Sequence, residues 1–220
     1  MTRRTPAPLS VTSVAVARLP RQSSTKSGAD VFRRHAFVRL AENAWREATP
    51  EGGDIEVLRE WLAHGRPLIV RRPCLSDDGL EAYLGLALPG KKRMAFRVPL
   101  ASVKSIEAPP IWDGKGTHNP GFVFRLYGSR AWGLLTGLLY VTPDSDLDLL
   151  VDIDSPAEWE SFLSADLRLP DELRVDLEVI FGGDASFSWR EYLGPAEDIL
   201  IKSNRRVWLE RKDQLATLFT

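Results

Sequence analysis

Two aspartates, Asp146 and Asp148, stand one residue apart in the run Ser145-Asp146-Leu147-Asp148-Leu149-Leu150. Acids alternate with leucines, so the run predicts a strand. Both carboxylates then lie on one face, roughly 6.5 Å apart at Cα, while Leu147 and Leu149 face a core. Like charges this close disfavour ionisation unless a cation compensates them. Magnesium takes oxygen ligands and bridges carboxylates to phosphates, which makes it the expected occupant. A third carboxylate comes from Asp176 in Arg174-Val175-Asp176-Leu177, and Glu178, on the same face, is the alternative third ligand. Sixteen residues separate Ser129 from Asp146, and Gly128-Ser129 closes an apolar run just before a helix. There, backbone amides and the helix dipole can hold a phosphate or triphosphate. The expected chemistry is a two-metal transfer, in which one ion activates an attacking hydroxyl and the other steadies a triphosphate.

Each part also has a plainer reading. Gly-Ser pairs before helices are common structural turns, and Asp144, Asp146 and Asp148 would suit a solvated turn and edge strand. A calcium loop of the EF-hand type fails on its own pattern. Counted from Asp144, its sixth position would be Leu149 rather than Gly, and its twelfth would be Ser155 rather than Glu.

The elements that must position these residues alternate strand, helix, strand, helix, strand. Phe122 to Tyr127 predicts a strand running into Gly128-Ser129; Ser129 is the expected N-cap of the following helix, and Gly137 is placed to end it. Asp146 to Val151 is the second strand. Ser155-Pro156-Ala157-Glu158 is a helix start with Ser155 as cap, Pro156 at the first helical position and Glu158 completing a capping box. Arg174 to Phe181 is the third strand, apolar at Val175, Leu177, Val179 and Phe181.

Before this part, His35 to Leu40 predicts a strand. Ile55, Leu58, Trp61 and Leu62 form one apolar helical face, stopped by Gly65 and Pro67, and Pro67 to Arg72 predicts a short buried strand. Residues 99 to 120 hold four Pro and two Gly, so Pro109 to Gly116 is the expected linker or long loop, with a boundary near residue 118. The expected organisation is a disordered leader over 1–30, an accessory α/β domain over 31–118 and a catalytic domain over 119–220. The fold class is α/β (α+β), with a small mixed sheet in the second domain.

Composition bounds the partners. The net charge is −1, but residues 1–29 carry five Lys or Arg and no acid, whereas residues 30–220 carry 24 bases against 30 acids. An acidic body, near −6, is poorly suited to nucleic acid, which needs a basic face. A small polyanion needs only a local basic pocket. Arg71-Arg72 and Lys91-Lys92-Arg93 suit either a solvated face or a surface for an anionic ligand or acidic partner. Cys74 is the single cysteine, so no internal disulfide or cysteine-based zinc cluster forms, and a reducing cytoplasm fits. No apolar run reaches the roughly 18 to 20 residues that span a bilayer. The leader has a composition that a transit peptide would share, although disorder or an over-extended start suits it as well. His35, His64 and His118 are too scattered for a metal site, so structural or exposed roles are expected for them. The tryptophans are expected mostly in the core, with Trp112 and Trp132 placed where a base could also stack.

Gly128-Ser129, Asp146-Leu147-Asp148-Leu149 and Arg174-Val175-Asp176 together resemble the signature of the DNA polymerase beta type nucleotidyltransferase superfamily. The longer strings Leu126-Tyr127-Gly128-Ser129-Arg130-Ala131-Trp132-Gly133-Leu134-Leu135-Thr136-Gly137 and Ser145 to Leu150 resemble one family within it. That family is malonate decarboxylase holo-acyl-carrier-protein synthase, also called phosphoribosyl-dephospho-CoA transferase. Arg34-His35, Pro67 to Arg72, Trp189-Arg190-Glu191 and Leu200-Ile201-Lys202 extend the similarity across roughly residues 31–211. Ala36 stands where the family has an acidic residue after the Arg-His pair.

The resemblance implies transfer of 2'-(5''-triphosphoribosyl)-3'-dephospho-CoA to a serine of the malonate decarboxylase acyl-carrier subunit, with pyrophosphate leaving. It implies magnesium on Asp146, Asp148 and Asp176 and the triphosphate on Gly128-Ser129. Arg130 and Lys202 are the implied groups that neutralise the departing charge. Three other readings remain: a nucleotidyltransferase with another small-molecule or protein hydroxyl acceptor, a non-catalytic nucleotide-binding module, and an interaction protein whose acidic strand is incidental.

Overall fold

The computed structural model describes residues 32–114, 121–170 and 173–219; the expected leader, the expected boundary near 118 and His118 lie outside them. The first sheet is built from β1 (Phe37–Leu40), β2 (Thr49–Pro50), β3 (Leu68–Leu75), β4 (Glu81–Ala87), β5 (Arg93–Pro99) and β6 (Val103–Glu107) in the order β2-β5-β4-β3-β1-β6. Its pairings are antiparallel. Helix α1 (Ile55–Ala63) packs on it through Leu58, Trp61 and Leu62, the face expected from their spacing, with Asp54 capping its start. The Trp61 indole N–H donates to the Pro67 carbonyl at 2.9 Å, which ties the helix end to the following strand.

The second sheet holds β7 (Phe124–Leu126), β8 (Leu147–Ile153), β9 (Val175–Phe181), β10 (Ala185–Ser188), β11 (Asp198–Lys202) and β12 (Val207–Arg211), in the order β12-β11-β10-β9-β8-β7. It is mixed, because β8 and β9 run parallel while the other pairings are antiparallel. A parallel pair needs a crossover, and here α3 (Pro156–Ser164) supplies it. Helices α2 (Gly128–Thr136) and α4 (Trp189–Leu193) complete the set. One face of β8 and β9 buries Leu147, Leu149, Val151, Leu177, Val179 and Phe181; the other face carries Asp148, Asp176 and Glu178.

The two sheets share one apolar core. Trp132 on α2 is 6% exposed and packs edge-on to Phe37 at 5.2 Å and Trp61 at 5.9 Å, so it belongs to that core and offers no face to a base. Trp112 is likewise partly buried against the core.

Three local expectations change. Ser129 is not the N-cap of α2: Tyr127 holds that position without a side-chain cap bond, and Gly128 turns the chain with φ +60°. Gly137 does end this helix in the left-handed conformation, φ 71°. The capping box is only half formed: Ser155 Oγ accepts from the Glu158 N–H at 3.2 Å, but the Glu158 carboxylate accepts from the Asp154 N–H at 2.7 Å rather than from the Ser155 N–H. The proline-rich stretch 99–120 contains β6, which pairs with β1 ahead of the expected linker, and the start of that linker is pinned to β7 by Trp112 N–H to Phe124 O at 2.9 Å and Leu126 N–H to Pro110 O at 2.7 Å. Pro and Gly set the ends of this segment, but partner strands fix what lies between them.

Candidate active site

Asp148 and Asp176 are direct partners in the parallel pairing of β8 with β9. Both project from the face opposite the core because the leucines and valines that alternate with them are buried. Asp146 precedes β8, and its half-buried carboxylate lies 3.7 Å from Nε of the exposed Arg174. Burial, then the charges of Asp176 and Asp146, push the Asp148 carboxyl up to about 6.

The turn into α2 is built around that carboxylate. At φ +60° Gly128 occupies the left-handed region, and an added Cβ would overlap Asp148. The next amide, Ser129 N–H, is near enough to Asp148 to favour its ionised form, at a helix start whose own N-cap makes no side-chain cap bond. Arg130, one residue on, is near enough for its charge to stabilise ionised Asp148. Its Nε is buried without a hydrogen-bond partner among the described residues.

Tyr127 completes the group, with its hydroxyl donating to Asp176 Oδ2 at 3.3 Å. Burial and the surrounding carboxylates push the Tyr127 phenol upward, which keeps it a neutral donor. Its neighbour in the motif, Gly128, was the stronger signal; nothing in the spacing marks Tyr127 itself.

Glu178 has different partners. Arg34 donates to both of its oxygens at 2.7 and 2.9 Å, His35 Nε2 lies 3.0 Å from Oε2, and Ser186 Oγ donates to Oε1 at 2.7 Å. Burial alone would raise Glu178, but these contacts outweigh it and hold the carboxyl well below its usual range. Burial lowers the His35 pKa despite Glu178, so the ring is neutral and donates Nε2–H to the carboxylate. His35 also lies 4.8 Å from the Tyr127 ring and adopts φ 69°. Glu178 is thus committed to an ion-pair bridge with the segment before β1. Sequence separations of 143 and 144 residues hid this bridge from any local pattern.

Lys202 is not brought to the carboxylates. It pairs with Ser186 on β10, at the level of Ile180 and Asp152, and strands β10 and β9 intervene between it and β8. At about 4.8 Å per strand and 3.3 Å per residue this places its Cα roughly 19 Å from that of Asp148, beyond a lysine's reach. Its charge bears on His35 instead.

Among the described residues no three His, Cys, Asp or Glu side chains close into a ready metal cage. An oxygen-only pair with a third carboxylate nearby still fits magnesium, which keeps water ligands and takes the rest from a bound phosphate. The raised Asp148 pKa records the electrostatic cost that such a cation would relieve. Among the described residues no helix is long and apolar enough to cross a membrane.

The family described as Phosphoribosyl-dephospho-CoA transferase MdcG matches the chain in two parts: its N-terminal domain over residues 33–109 and its C-terminal domain over residues 114–213. The chain is 35% identical over 195 residues to a phosphoribosyl-dephospho-CoA transferase of Xanthomonas euvesicatoria, covering 78% of this chain and 91% of that protein. It is 32% identical over 206 residues to one of Bradyrhizobium diazoefficiens, covering 82% and 91%. A relative from Azotobacter vinelandii is 27% identical over 168 residues, covering 66% and 78%. No solved structure matches. The chain belongs to the phosphoribosyl-dephospho-CoA transferase family, a family of transferase enzymes.

Proposed function

We propose that this enzyme transfers the phosphoribosyl-dephospho-CoA unit of 2'-(5''-triphosphoribosyl)-3'-dephospho-CoA to a serine of the malonate decarboxylase acyl-carrier subunit. The observation that carries the reading is the side-by-side placement of Asp148 and Asp176 beneath the Gly128-Ser129 turn. The serine oxygen forms a bond to the α-phosphorus, the α–β phosphoanhydride bond breaks, pyrophosphate leaves and the serine proton is lost to solvent.

Asp146, Asp148 and Asp176 would hold magnesium, which when bound supplies charge neutralisation of the triphosphate and activation of the attacking hydroxyl. Gly128 lets the turn close onto Asp148, and the Gly128-Ser129 backbone would hold the triphosphate. Ser129 aligns Asp148 through its amide, and Arg130 offsets negative charge on the departing pyrophosphate. The Tyr127 hydroxyl fixes the orientation of Asp176.

The test is pyrophosphate release and a matching mass gain on the apo carrier subunit, with and without magnesium, for wild type and Asp176→Asn. Labelling in the wild type alone, and only with magnesium, supports the reading. Release of pyrophosphate with no gain on the carrier would mean another hydroxyl acceptor, and equal labelling by the variant would remove Asp176 from the site.

A further inference from the structure

A second basic site lies at the far end of the same sheet. The β9–β10 turn, Gly182-Gly183-Asp184, and the β11–β12 turn, Ser203-Asn204-Arg205-Arg206, together with Arg33, line a cavity of about 610 Å³. Arg33, Arg205 and Arg206 face it against one acid, Asp184, in a chain whose body is otherwise acidic.

The arginines are held ready. Ser203 accepts from the amides of Arg205 and Arg206 at 3.3 and 3.2 Å, and its own amide donates to Arg206 O at 2.8 Å, which locks the turn and presents two adjacent guanidinium groups. Arg206 lies over the Trp208 ring at 4.3 Å, oriented by an aromatic face. Neither Arg205 nor Arg206 forms an ion pair among the described residues, and Arg33 reaches Asp152 only at 4.0 Å. Arg33 also rests against Gly183, whose φ of +78° suits glycine. Guanidinium groups arranged in this way match phosphate oxygens.

A second cavity of about 370 Å³ shares Arg33, Gly183 and Asp184 with the first and is lined further by Arg34, His35 and Leu150. The second cavity thus adjoins the first across Arg33, Gly183 and Asp184 and lies beside the Arg34-His35-Glu178 bridge. Gly183 is seven residues beyond Asp176 on β9 and its turn, roughly 23 Å along an extended chain. In the donor, the triphosphate-bearing ribose is joined to an adenosine whose 5'-diphosphate continues into a pantetheine arm, so its two phosphate groups are far apart.

We propose that the Arg33-Arg205-Arg206 cavity binds the 5'-diphosphate of the dephospho-CoA portion of the donor, remote from the carboxylates that meet its triphosphate. The inference rests on the donor named above. It is separable from it, because dephospho-CoA itself has no triphosphate.

Titration calorimetry of the full chain with dephospho-CoA, without magnesium, tests the site. Wild type is compared with Arg205→Ala/Arg206→Ala and with Lys92→Ala/Arg93→Ala as a charge-matched control, each checked for an unchanged melting temperature. The arginine pair should weaken binding about tenfold or more, while the control variant binds as wild type does. Equal binding by the arginine pair, or no binding by wild type, overturns the site. Inorganic pyrophosphate that binds through the same arginines as tightly as dephospho-CoA also overturns it, because the site would then select the free product. Arginine-dependent binding with no transfer to the carrier leaves the site standing and removes the acceptor; transfer with arginine-independent binding does the reverse.

Discussion

The Asp148 carboxylate occupies the space that a side chain at position 128 would need, so the turn into α2 and the acid on β8 form one unit. Gly128→Ala therefore meets two obstacles, the overlap and a left-handed φ of +60°. The expected outcome is a transfer rate lowered about 100-fold and a stability loss of about 1–3 kcal/mol. Urea unfolding and the carrier-labelling assay measure the two effects, and a fully active Gly128→Ala enzyme would falsify the fit described here.

Asp148 predicts a pH dependence in the metal-free protein. Its folded carboxyl is raised from 3.8 to about 6. Between those values the folded state holds the proton more tightly than the unfolded state, so stability falls as pH rises through the window. Asp148→Asn should remove that slope and unfold at a higher temperature than wild type at pH 7, by on the order of 1 kcal/mol after solvent screening. Magnesium should raise the melting temperature of wild type and leave the variant unmoved. A variant less stable than wild type at pH 7 without metal would count against the crowding of charge.

His35 titrates with the opposite sign. Its pKa is lowered from 6.5 by burial, so below that value the unfolded state takes up a proton that the folded state refuses, and stability is lost on acidification. His35→Asn, chosen because asparagine tolerates a left-handed backbone, should flatten the change in unfolding free energy between pH 7 and pH 5. The comparison is best made in an Asp148→Asn background, where the opposing slope is absent. An undiminished slope would assign the acid sensitivity to another group.

Glu178 separates structure from chemistry. Glu178→Ala strands a part-buried guanidinium and a buried imidazole, and should cost about 3–5 kcal/mol. At 15 °C, where the variant remains folded by circular dichroism, it should keep most of its magnesium-dependent transfer, whereas Asp176→Asn should lose transfer and keep its stability. Loss of transfer by fully folded Glu178→Ala would instead make Glu178 the third ligand.

The sequence by itself determined the acid-bearing strand, because alternation with Leu147 and Leu149 leaves Asp148 only the solvent-facing side, and that logic is local. It likewise determined the helix starting at Pro156 and the end of α2 at Gly137, where single residues impose the geometry. Local pattern could not place β6 inside a proline-rich segment, since its strand character comes from pairing with β1. Nor could it choose between Asp176 and Glu178, which share a face and differ by two residues. Tertiary structure distinguishes their surroundings: the parallel register sets Asp176 beside Asp148, and a segment more than 140 residues away in sequence brings Arg34 and His35 to Glu178. Lys202 shows the same limit from the other side, because a basic residue on a neighbouring strand of the sheet is near the site only if register and strand order put it there. Side-chain alternation is written in the chain, whereas strand order and register are decided by how distant segments bury their apolar faces together.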